Sequence, residues 1–150
     1  MPNFVISFGA PWQLSIQSHE MIFYAPSVFG YYSDNFAIPN TTTLAPEMQL
    51  YTTDTITARA TFLYDILYIP PGVYPLISNI DWTQWTPQVA GDGTALIDYI
   101  NHLWFHGSMS MELYSALQQN LDSIPASDPV SRVKQTIYLA MISPEFAVER

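Results

Sequence analysis

The chain has 150 residues, of which four are Lys or Arg and thirteen are Asp or Glu, giving a formal net charge of -9. Only 11% of positions are charged, against 49% hydrophobic and 15% aromatic. That balance excludes a disordered chain; four bases are too few to neutralise a nucleic-acid backbone, and the absence of Cys rules out a disulfide framework.

A single domain of this length buries roughly two thirds of the surface of its unfolded chain, enough for a core without metal or disulfide. The shortage of charge is the unusual feature, since about a quarter of a typical domain is charged. The surface must be finished by uncharged polar side chains or covered by another protein. The start, Met1 to Phe8, has no basic residue and no clean apolar run, so it does not read as a signal peptide. Pro2, Pro11, Gln13 and Gln17 interrupt the first uncharged stretch, so no membrane span is expected there. Asn40-Thr41-Thr42 has the form of a glycosylation sequon, a three-residue pattern that arises often by chance.

Residues 1–150 read as one domain in two parts. Residues 1–45 carry many Pro, Gly, Ser and aromatic residues with neither helical nor strand periodicity, and read as an ordered irregular segment packed on the rest. Residues 46–150 read as helical. Pro46-Glu47 has a first-turn arrangement. Thr53 or Asp54 can cap a longer helix with Ile56, Ala60, Leu63 and Leu67 as its apolar stripe, stopped by Pro70-Pro71-Gly72. Residues 70–93 read as a long connector whose Trp82 and Trp85 pack back on the helices.

Thr94 can cap a second helix to about His106, with Leu96, Ile100 and Leu103 as its core face and Gly107 as its stop. Ser108 or Ser110 opens a third, with Leu113, Leu117, Leu121 and Ile124 in register and Pro125 closing it. Asp128-Pro129 starts a fourth through an N-cap and a first-position Pro, with Val130, Val133, Ile137 and Met141 as its stripe. Ser143-Pro144-Glu145 starts a last short turn. The expected fold is therefore all-α: about four main helices with an aromatic, Pro-rich, irregular N-terminal segment.

Three segments in order resemble the C-terminal part of the bacterial family called domain of unknown function 1800. Residues Ala25 to Phe36 (APSVFGYYSDNF) are similar to that family's PSVFNFYSPDY stretch, and Leu44 to Gln49 (LAPEMQ) to its APEFQ stretch. Tyr138 to Phe146 (YLAMISPEF) is similar to its closing YLVLTSPEF. Gly107-Ser108-Met109-Ser110 resembles its Gly-x-Met-Ser helix junction. Members are longer, with a large helical part upstream that this chain lacks, and residues 1–18 match nothing in the pattern. The resemblance implies a mostly helical fold and an exported protein. It implies no catalytic residue and no cofactor.

Candidate chemistry is sparse. Asp98, His102 and His106 are spaced i, i+4, i+8, which stacks a carboxylate and two imidazoles on one side of a helix as a divalent metal could use, with His19-Glu20 from the loop to complete the set. The stronger reading puts Asp98 and His102 on the solvent face, opposite Leu96, Ile100 and Leu103. Ser27 lies in the first family-like segment, where capping the following turn is its simplest role, and no G-x-S-x-G elbow is present. Glu47 and Glu145 each follow a Pro, where a carboxylate complements the helix dipole and bonds first-turn amides. Arg59 is expected to meet an acid of the first half, and Arg132 to hold Asp128. Tyr24, Tyr31, Tyr32, Trp82 and Trp85 are the candidate partner or ligand surface, either a core or inter-domain seam or a stacking platform for sugar rings.

The resulting expectation is a non-catalytic structural or interaction module with a protein partner or self-association. The alternative is a hydrolase-like or carbohydrate-acting domain built on the aromatic surface and an acid or His site.

Overall fold

The computed structural model describes residues 31–69 and 80–147; the side chains of Glu47, Leu50 and Ala147 lie outside that description. Outside it too are His19, Glu20, Tyr24, Ser27, most of the first family-like segment and Pro70-Pro71-Gly72. The described residues fall into two compact units, 31–69 and 80–147. The fold is mostly helical, with four main helices and no strand among the described residues.

In the first unit, residues 31–45 form turns around one isolated antiparallel bridge between Ala37 and Leu44. Pro46–Leu50 then makes a 3-10 turn, as the Pro-led start implies. Helix α1 runs Thr53–Tyr68. Its N-cap is Thr52, one residue before the expected one, because Thr52 and Thr55 form a reciprocal capping box: each hydroxyl receives the other's backbone N–H, at 3.3 and 3.0 Å. The helix ends at Tyr68, and Ile69 is extended, as a residue before Pro must be. Leu63 and Leu67 are buried as expected, but Ile56 is 51% exposed and Thr55 is buried instead.

The second unit holds helices α2 (Thr94–Trp104), α3 (Met111–Ser123), α4 (Pro129–Ile142) and the short α5 (Pro144–Ala147). Two 3-10 turns, Trp82–Gln84 and Thr86–Val89, precede α2. Gly93, rather than Thr94, is the N-cap of α2; the Asp92 carboxylate accepts from the Thr94 N–H at 3.1 Å and its hydroxyl at 2.9 Å. Ser110 and Asp128 cap α3 and α4, accepting from Leu113 N–H and Ser131 N–H at 3.1 Å each, and Pro129 takes the first position of α4.

The core of this unit is Val89, Leu96, Ile97, Ile100, Phe105, Leu117, Leu121, Val133, Ile137 and Ala140. Leu103 departs from the expected core face: it is 47% exposed, and Ile97 is buried in its place. Leu96, Ile97 and Ile100 centre the buried arc, leaving Leu103 at its margin. No helix of the described residues is long and apolar enough to cross a membrane.

Candidate functional site

The second unit is organised around the junction between α2 and α3. Helix α2 stops at Trp104 rather than near His106, because the backbone turns left-handed at His106 (φ 51°) and Gly107 (φ 80°). Asn101 holds this turn closed. Its carbonyl accepts from Phe105 N–H at 3.1 Å and Gly107 N–H at 3.0 Å, while its side-chain oxygen accepts from Met109 N–H at 3.1 Å. The Ser108 hydroxyl donates to the Phe105 carbonyl at 2.6 Å.

Glu145 closes the junction from the far end of the chain. Its carboxylate accepts from the Ser110 N–H at 3.0 Å and from the Ser110 hydroxyl, while that same hydroxyl caps α3. The carboxylate expected to serve its own short helix therefore serves the N-terminus of α3, where a negative charge is also favoured by the helix dipole. Phe146 lies edge-on to Trp104 and Phe105, with centroids 5.7 and 6.1 Å apart. The Gly107–Ser110 and Ser143–Phe146 segments, noted separately in the sequence, thus meet in space.

A second anchor lies beneath the start of α2. Arg132 is 3% exposed, and its Nη1 donates to the carbonyls of Val89 at 2.6 Å and Gly91 at 3.1 Å. The expected pairing with Asp128 is corrected: Asp128 is occupied capping α4, and the guanidinium points inward to the chain before α2. Arg59, in the first unit, donates to the Tyr51 hydroxyl at 3.3 Å.

Three of the acids, Asp81, Asp92 and Asp128, are held by local donors. Asp81 accepts from the Thr83 hydroxyl and N–H and from Gln84, and these bonds hold its carboxyl below the usual range. Asp92 is lowered by its bonds from Thr94, and Asp128 by its bonds from Ser131. Tyr114 donates to Asp98 at 3.1 Å; burial first, and then Asp98 and Asp92, push its phenol up.

Asp98, His102 and His106 are all exposed, and no group of three metal-ligating side chains occurs among the described residues. Trp82 and Trp85 are half-buried, and both pack on helices of their own unit: the Lys134 ammonium lies 5.4 Å from the Trp82 ring, and Trp85 meets Tyr99 edge-on at 5.4 Å. Burial pushes the Lys134 ammonium down from its ordinary range. Tyr31 and Tyr32, also half-buried, belong to the other unit. Sequence reasoning missed Tyr99, which stands 42% exposed beside Leu103, and Met111, which is 74% exposed. Their spacing on amphipathic helices reads equally well as helix margin.

No family model, characterised protein or solved structure matches the chain.

Proposed function

We propose that this chain is a non-catalytic structural or interaction module that docks onto another protein surface, of the kind its likeness to the C-terminal part of the domain of unknown function 1800 implies. The observation that carries the reading is a division of labour among side chains. Several of the groups that hydrolysis would recruit are engaged in local structure: Ser110 with Glu145, Asp92 with Thr94, Asp128 with Ser131 and Asp81 with Thr83. Two apolar side chains one turn apart on the solvent side of α2, Tyr99 and Leu103, stand exposed instead. An exposed apolar patch on a folded chain marks an interaction surface.

The test is uptake of an apolar fluorescent dye by the natively folded chain, followed by light scattering across a concentration series. Dye binding below the unfolding transition, with association as concentration rises or on adding a partner, is the expected result. A monomer that takes up no dye sinks the reading. Quenching of Trp fluorescence by an oligosaccharide would favour the carbohydrate-acting alternative.

A further inference from the structure

We propose that the solvent face of α2 is the docking surface for a cationic amphipathic helix supplied by a protein partner, an inference that rests on the interaction-module reading and names its partner chemistry. Tyr99 and Leu103 sit i, i+4 apart, so they lie one above the other on this face, and they are 42% and 47% exposed. The edge contact with Trp85 holds the Tyr99 ring in place, so the apolar strip is pre-formed and little ordering is needed on binding. Ala95, Asp98 and His102 share the exposed side of the helix with it.

Charge decides among occupants. Asp98 lies at the α3 margin of this exposed side, where Tyr114 donates to it, and Gln118 of α3 ties the Asp92 carbonyl at the start of α2 to the Asp122 carboxylate, its Nε2 donating to both, so carboxylates line that margin. The two bases of the described unit are turned to internal work, Arg132 on carbonyls and Lys134 over the Trp82 ring. A second copy of the chain, at a net charge of -9, would bring acid against acid. A helix with apolar residues at i and i+4 and Lys or Arg beside them meets both the strip and the carboxylates.

The experiment uses the full chain and a fluorescein-labelled 18-residue Leu/Lys amphipathic helix, with a Leu/Glu peptide of the same pattern as its twin, read by anisotropy. Binding of the Leu/Lys peptide that weakens with added salt, and none of the Leu/Glu peptide, is expected. Leu103→Glu and, separately, Tyr99→Ser should each weaken binding by about tenfold or more, as loss of a central apolar contact does. Leu44→Glu, at an exposed position of the other unit, should leave it unchanged. Absence of Leu/Lys binding, equal binding of the two peptides, or equal effects of Leu103→Glu and Leu44→Glu would each overturn the proposal. So would a dimer in light scattering that Leu103→Glu dissolves, which would assign the face to a second copy. A chain that takes up the apolar dye yet fails these peptide tests keeps the broader docking reading and loses only this partner; a chain that takes up no dye loses both.

Discussion

Glu145 reaches back 35 positions to receive both the N–H and the hydroxyl of Ser110, so the first turn of α5 completes the N-terminus of α3. Hydrogen bonds to an ionised acceptor stabilise by about 1.5–3 kcal/mol, roughly twice a neutral pair. Glu145→Ala is therefore expected to lower stability by about 2 kcal/mol in urea unfolding, and Glu145→Gln by less, since the amide keeps one acceptor. Ser110→Ala removes the α3 cap as well, which adds about 1 kcal/mol. In a double-mutant cycle the two positions should couple by about 1 kcal/mol; additive losses would show that the contact contributes nothing.

Arg132 brings a guanidinium under the start of α2 and spends it on the Val89 and Gly91 carbonyls, in a place where Val89 itself is buried. Truncating one partner of a buried charged pair leaves the other unsatisfied and costs about 3–5 kcal/mol. Here the partners are neutral carbonyls, so Arg132→Met is expected to cost about 2–3 kcal/mol, read from the urea midpoint. Both bonds leave one nitrogen, Nη1, which an ammonium's three donors can imitate, so Arg132→Lys should recover part of the loss and leave the part due to the missing guanidinium packing. Full recovery by Lys would show that charge alone matters at this site.

These two anchors also mark where sequence reasoning stops. The helix starts at Ser110 and Asp128-Pro129 and the left-handed turn at Gly107 were legible because caps act over three or four residues, although α2 itself ends earlier, at Trp104. The partners of Arg132 and Glu145 lie 43 and 35 positions away, and nothing local distinguishes a dipole-facing Glu from one that reaches another helix. The phase of a helix face is similarly underdetermined. Leu96, Ile97, Ile100 and Leu103 are all apolar, so a core arc centred on Ile97 or on Leu103 fits the pattern equally, and only the packing of α3 and α4 selects Ile97. The same ambiguity concealed the Tyr99–Leu103 strip.

Gly93 carries two constraints at once. Its φ of 76° lies in the left-handed region, and an added Cβ would sit 3.0 Å from Leu121 Cδ1 in the core. Gly91 and Gly107 share the positive φ, at 66° and 80°, but a Cβ there meets open space. Left-handed strain alone costs on the order of 1 kcal/mol for a non-glycine residue. Gly93→Ala should therefore cost clearly more than Gly91→Ala or Gly107→Ala, at about 2–3 kcal/mol once the displaced Leu121 contact is included. Equal melting temperatures for the three variants would show that the Leu121 contact relaxes freely.

The acid limb of the stability curve follows from the capping carboxylates. Asp81, Asp92 and Asp128 are each held below their ordinary value of 3.8 by bonds from Thr83, Thr94 and Ser131 respectively. A carboxyl whose folded value is depressed is ionised in both states at neutral pH, so its contribution is fully present above the ordinary value. As pH falls below 3.8 the unfolded chain takes up protons first, and stability declines until the folded carboxyls protonate too. Melting temperature should thus be flat for these groups from pH 7 to about 4.5 and fall below that. Replacing all three by Asn keeps a side chain that can cap but does not titrate in this range. That triple variant should melt somewhat lower at pH 7 and lose less on acidification, and an unchanged slope below pH 4 would remove these caps as its cause.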